Sequence, residues 1–214
     1  MLYGKIIFFL FILLMIGCQK NKTIKSNEKI NPTSLTPGGV PAVAKTKAEF
    51  KKSHYFNEDR VKEDKYDVLK KGNEESYNEL LLYYGYNTSK KHELLPCTLI
   101  MVEKHKKYNY CTNAFENLYE FYTGKNINYF YDGSDASYIP YFQTISTLVP
   151  SVKNYCLYYL ELGSKNNDAL SIKYLEILYR YGYGFDKNIK KADSLKIAYQ
   201  KQIAIDSNKY INKK

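Results

Sequence analysis

Residues 169–198 read ALSIKYLEILYRYGYGFDKNIKKADSLKIA, and this stretch decides the fold. Ser171, Leu175, Leu178 and Tyr179 fall at i, i+4, i+7 and i+8, the spacing that aligns side chains along one stripe of an α-helix. The pattern halts at Gly182 and Gly184. A second stripe follows from about Ile189 to Asp206, carried by Ala192, Leu195, Ala198 and Tyr199. Two amphipathic segments in succession predict a helical hairpin.

Moving towards the N-terminus, the same signature recurs. Ser76, Leu80, Tyr83 and Tyr84 share its offsets, as do Ala114, Leu118, Phe121 and Tyr122. A small residue followed by large ones, three times, predicts repeated packing units. The small residue lets a neighbouring helix approach, and the large ones fill the groove. Partner helices are expected between these stripes. One starts near Pro96, whose missing N–H suits a first turn, and runs through Leu99, Ile100 and Val102 to about Lys107. Another starts near Pro150 and runs through Tyr155, Cys156, Tyr159 and Leu160 to a stop at Gly163. Helical spacing is apparent from about Tyr66, and no convincing alternating strand pattern competes with it. The expected class is all-α: about six to seven helices in degenerate hairpin repeats, after a flexible N-terminal tether.

The third unit resembles a known family. Tyr179-Arg180-Tyr181-Gly182-Tyr183-Gly184-Phe185 is similar to the Sel1-like repeat pattern Y-x-x-G-x-G-V, a relative of the tetratricopeptide repeat. Asn188 stands at the family's usual Asp, which caps the second helix, and Lys191-Ala192 matches the K-A that follows. The resemblance covers roughly Ala169 to Ala198; the second unit keeps only Gly124 before a long insertion, and the first lacks the link. Such repeats generally bind proteins on a concave face, so the resemblance implies an interaction module. The whole chain also looks like small lipoproteins of Bacteroidota that carry degenerate repeats.

The N-terminus carries an address. After Lys5, residues 6–16 (IIFFLFILLMI) form an unbroken apolar run of 11 residues. That is too short for a helix to cross a hydrocarbon core of roughly 30 Å, but it suits a signal-peptide core. The run ends in Met15-Ile16-Gly17-Cys18, which resembles the lipobox of bacterial lipoproteins, with Met15 where leucine is usual. The resemblance implies lipidation of Cys18, cleavage before it, and anchoring to a membrane of the cell envelope, the outer membrane or a periplasmic face. Residues 19–55, with Pro37-Gly38-Gly39 and few large apolar side chains, read as a flexible tether. The expected organisation is therefore a signal segment at 1–18, a tether at 19–55 and a repeat domain at 56–214.

Composition sets further bounds. With 44% hydrophobic residues, 24 tyrosines and 10 phenylalanines, the remainder can build a core. The net charge of +10 raises nucleic acid or anionic lipid as partners. The basic residues look scattered, and Lys90-Lys91, Lys104 to Lys107 and Lys190-Lys191 fit solvated helix faces better than phosphate-binding strips. No nucleic-acid motif is present, so the expected partners are a membrane, through the lipid, and a protein.

Chemistry finds little support. Beyond Cys18, the three cysteines Cys97, Cys111 and Cys156 cannot all pair with one another. In an antiparallel hairpin, Cys97 and Cys111 would lie roughly 15 Å apart at 1.5 Å per residue, against the 7 Å or so that a disulfide allows. Buried thiols are expected. His92, Cys97, His105 and Cys111 are metal-ligand types without a metal-ligand spacing. Asp132-Gly133-Ser134-Asp135 reads as a turn rather than a calcium loop. Glu161 and Glu176 sit at helix-surface spacing. No phosphate loop, nucleophile elbow or metalloprotease helix appears, so no catalytic residue, metal or cofactor is expected. Tyr129, Tyr131, Tyr138 and Tyr141, in the insertion over 125–141, are the candidate recognition surface. The expectation is a protein-interaction lipoprotein; the alternatives are an envelope enzyme or glycan-binding protein using that insertion, or an immunity protein against a secreted toxin.

Overall fold

In the computed structural model, residues 56–211 are described, with Ala48 ahead of them. The expected signal segment with Cys18, and the expected tether apart from Ala48, lie outside the described residues. Among the described residues there are eight α-helices and no strand, so the domain is all-α. None of these helices is long and apolar enough to cross a membrane.

Helix α1 spans Glu58–Lys71, beginning earlier than the periodicity from Tyr66 indicates. Its start is set by Asn57, whose side chain accepts from Asp59 N at 3.0 Å and Arg60 N at 3.3 Å. Glu58 and Asp59 in the first turn, and Lys70 and Lys71 in the last, complement the helix dipole. Helix α2 spans Glu74–Tyr86 and buries Ser76, Leu80, Tyr83 and Tyr84, the stripe expected of the first unit. Its cap is Asn73, which accepts from Ser76 N at 3.0 Å. Helix α3 covers Leu94–Glu103, with Pro96 in its first turn as expected, and ends short of Lys107.

Helix α4, Cys111–Thr123, departs from expectation. Ala114 and Leu118 are buried, but Phe121 and Tyr122 face solvent. The buried stripe is instead Cys111, Thr112, Phe115, Leu118 and Tyr119, because the insertion folds back over that side. There, short helix α5, Tyr138–Phe142, sets Phe142 6.0 Å from Phe115 and Tyr141 4.9 Å from Tyr119, ring to ring.

Helix α6 spans Pro150–Lys165 with Pro150 in its first turn, and runs past Gly163 instead of stopping there. Gly163 is a crossing point. A Cβ on it would lie 2.7 Å from Cys111 Cβ and closer still to Ser171 Oγ, so only glycine lets the helices approach this closely. Tyr155 on α6 is exposed, whereas Cys156, Tyr159 and Leu160 are buried.

Helices α7, Ala169–Tyr181, and α8, Ile189–Ile211, form the hairpin that their sequence predicts. Gly182 and Gly184 take φ of 77° and 74°, the left-handed region that favours glycine. Asn188 caps α8 by accepting from Lys191 N at 2.9 Å, and Phe185 stacks on Tyr179 at 4.4 Å. Of the α8 stripe, Ala192 is buried and Leu195 and Tyr199 are partly so, while Ala198 is exposed.

Successive helices pack on one another: α1 on α2 and α3, α3 on α4, α4 on α6, α6 on α7, and α7 on α8. One continuous core runs from Val61 to Ala192. Tyrosine dominates it, because each ring buries a large apolar area and most of the hydroxyls are hydrogen-bonded; the Tyr141 hydroxyl is the exception, buried without a partner among the described residues. Tyr77 bonds Thr98 at 2.7 Å, Tyr119 donates to Tyr141 O at 2.8 Å, and Tyr159 and Tyr174 donate to Glu103 and Glu116 at 2.7 and 2.6 Å.

Candidate functional site

The insertion between α4 and α6 has four tyrosines, and the structure divides them. Tyr138 and Tyr141 are buried in the core, whereas Tyr129 is 75% and Tyr131 49% exposed. The division follows local geometry. Asn126 accepts from Asn128 N at 2.9 Å and opens a single 3-10 turn, Ile127–Tyr129. Asp132 Oδ1 then accepts from Ser134 N at 2.9 Å, making the expected Asp-Gly turn, with Gly133 next in line. Only after this turn does α5 begin. Its rings pack on α7, Tyr138 and Phe142 standing 5.2 and 4.9 Å from Tyr174.

A charged chain pins the same segment. Asp135 Oδ2 lies 2.6 Å from Lys173 Nζ, which lies 3.4 Å from Glu176 Oε2. Glu176 accepts in turn from Arg180 Nε at 2.5 Å, and Arg180 reaches Asp193 of α8 at 2.8 Å. Its spacing places Glu176 on a helix surface, but it is only 4% exposed. It tolerates burial because Lys173 and Arg180, three residues before and four after, fold over it. Burial alone would lower the Lys173 pKa; the hydrogen bond to Asp135 and the Glu176 charge outweigh it and hold the ammonium above its ordinary value.

A second polar cluster joins α4 to the start of α7. Asp168 Oδ2 accepts from Thr112 Oγ1 at 2.7 Å, Thr112 N at 3.1 Å and Ser171 Oγ at 2.6 Å. Burial nevertheless raises the Asp168 pKa. Further along α4, Glu116 accepts from Tyr174, and burial pushes its carboxyl up to about 7. Both groups are engaged in packing between helices.

The remaining sequence expectations find definite places. Cys97, Cys111 and Cys156 are free and buried, and desolvation raises their pKa values, to about 12 for Cys111 and about 11 for Cys156. His92 is exposed, while His105 lies against Leu69 O at 3.3 Å. Among the described residues no three His, Cys, Asp or Glu side chains gather as a metal-binding group. The lysine runs engage neighbours: Lys90 pairs with Glu58, Lys91 with Glu120 and Lys107 with Glu74, and Lys104 donates to Leu69 O.

The basic surplus is also less scattered than it looks. Residues 1–55 carry nine lysines against two glutamates, whereas residues 56–211 carry 21 basic against 20 acidic residues. A depression of about 500 Å3 lies where the end of α8 passes the α6–α7 turn, lined in part by Asn109, Asn166, Leu170, Gln202 and Asp206; none of its lining comes from residues 125–141.

No family model matches the chain, no curated protein is similar to it in sequence, and no solved structure matches its fold. Sequence reasoning missed the Lys173–Glu176–Arg180 chain and the exposure of Phe121 and Tyr122. The i, i+3 and i, i+4 charge spacing over 173–180 was the available signal for the first.

Proposed function

We propose that this protein is a lipid-anchored helical-repeat module of the bacterial cell envelope, which binds a protein partner through the insertion between α4 and α6. One observation carries this reading: Tyr129 and Tyr131 project from a segment held on both sides, by Asn126 and Glu120 before it and by Asp135–Lys173 and α5 after it. Tyrosines fixed on a rigid scaffold lose little entropy on binding and are enriched at the centres of protein interfaces. The lipobox resemblance at Met15 to Cys18 supplies the anchor, and the Sel1-like pattern over 179–192 supports the interaction role.

Two experiments test the two halves. Metabolic palmitate labelling should mark the wild-type chain and not Cys18→Ser; equal labelling would remove the anchor. A photo-crosslinking residue placed at Tyr129 in cells should trap one stoichiometric partner, lost when Tyr131→Ala is added. A crosslinking pattern no different from that at exposed Lys196 would end the interaction reading at this surface.

A further inference from the structure

The three repeat units use equivalent positions differently. Tyr83 and Tyr84 in the first, and Leu178 and Tyr179 in the third, are buried. Their counterparts in the second, Phe121 and Tyr122, are 63% and 44% exposed, and their rings meet edge to face at 5.2 Å. Core formation accounts for large apolar side chains at these offsets when they are buried. It gives no reason to keep two aromatic rings there once the insertion has turned them outward.

Phe121 borders a depression of about 180 Å3. Leu95 is its other apolar wall, and its polar lining is Thr88, His92, Asn117 and the Lys91–Glu120 ion pair. This is below the roughly 300–1,000 Å3 that encloses a drug-sized ligand, so it fits a single ring. Its polar groups are held in place beforehand: Asn117 donates to Thr98 at 3.0 Å, and Glu120 accepts from both Lys91 and Asn126, the latter at 3.0 Å. Lys91 and Glu120 cancel each other's charge, which favours a neutral ligand over an ion.

We propose that this depression binds a neutral sugar ring, with Phe121 against the ring's C–H face and Asn117, Glu120 and Lys91 hydrogen-bonded to its hydroxyls. A pyranose presents this combination: an apolar face of axial hydrogens and a rim of hydroxyls that both donate and accept. An aromatic ring meets the first, and an amide, a carboxylate and an ammonium meet the second. The site shares Glu120 with the anchor of the Tyr129–Tyr131 segment, so its failure is told from that of the protein-binding surface by Phe121→Ala and Tyr129→Ala, which leave that anchor in place.

The test is saturation-transfer NMR on the full chain in detergent, with cellobiose, maltose and N,N′-diacetylchitobiose as probes. The wild type should pass saturation to the ring C–H protons of at least one probe. Phe121→Ala should weaken that binding by about tenfold, the loss expected of one stacking contact. Its exposed position leaves the fold intact, which circular dichroism checks. Glu120→Gln should weaken binding as well, and Tyr129→Ala should leave it unchanged. Absence of transfer to all three probes, or equal transfer from Phe121→Ala, overturns the proposal. A protein crosslinked through Phe121 without sugar binding would reassign the face to protein docking.

Discussion

Lys173 Nζ sits 2.6 Å from Asp135 Oδ2, joining α7 to a loop 38 residues earlier, although Lys173 itself is only 8% exposed. The two ends of this bond differ in environment. Asp135 is largely solvated, whereas Lys173 and Glu176 are buried together. Removing one end is therefore not equivalent to removing the other. Lys173→Met leaves buried Glu176 with Arg180 alone and should cost about 2 kcal/mol in urea unfolding. Asp135→Asn should cost under about 1 kcal/mol, yet speed amide hydrogen exchange selectively over residues 126–137. Equal stability losses from both variants would contradict this asymmetry.

Glu116 makes stability depend on pH. Burial raises its folded-state pKa to about 7, above the ordinary 4.5, so folding favours the protonated acid. Its contribution is therefore most favourable below the unfolded value. As pH rises from there to the folded value, the unfolded state gains a solvated carboxylate first and stability falls, levelling off above about 7. Glu116→Gln keeps an acceptor for Tyr174 and removes the titration. Relative to wild type, it should gain on the order of 1–2 kcal/mol between pH 4 and pH 8, less than full linkage because the side chain remains partly solvated. A difference between the two proteins that is the same at both pH values would refute the assignment.

Gly163→Ala tests the helix crossing. The new methyl would overlap Ser171 Oγ and Cys111 Cβ, neither of which is the far end of a long side chain. Overpacking of this kind should cost about 2–3 kcal/mol in urea unfolding. Adding Ser171→Ala should recover part of the loss, so the two substitutions should couple favourably in a double-mutant cycle. Strict additivity would place the strain elsewhere.

The three buried thiols should be silent. Cys97, Cys111 and Cys156 are buried, with pKa values raised by desolvation, so a thiol-reactive dye should leave all three unmodified in the native protein at neutral pH and modify all three in denaturant. Rapid labelling of any one under native conditions would show that its helix is not packed as described.

The sequence announced the helices better than it announced their surroundings. The stripes at Ser76 to Tyr84 and Ser171 to Tyr179 are buried as their periodicity implies, because regular helix neighbours cover them. The stripe at Ala114 to Tyr122 holds only for its first half. Period identifies a face, but which segment covers that face depends on the insertion, whose 3-10 turns and five-residue helix carry no repeating pattern. The same limit explains Tyr138 and Tyr141, which look like loop residues and belong to the core. Glu176 was misplaced for a related reason: a lone carboxylate reads as surface, and its burial is made possible by Lys173 and Arg180, which Asp135 and Asp193 hold from other elements.

Hydroxyl-bearing rings give this interior a directionality that a purely aliphatic one would lack. Sliding α4 by one residue would strip Tyr119 and Tyr174 of their acceptors at once, at about 1–3 kcal/mol for each orphaned group. Misregistered packings are thereby penalised in discrete steps. The register of α4 against α5 and α7 is held in this way, and with it the relative height of whatever these helices display outward.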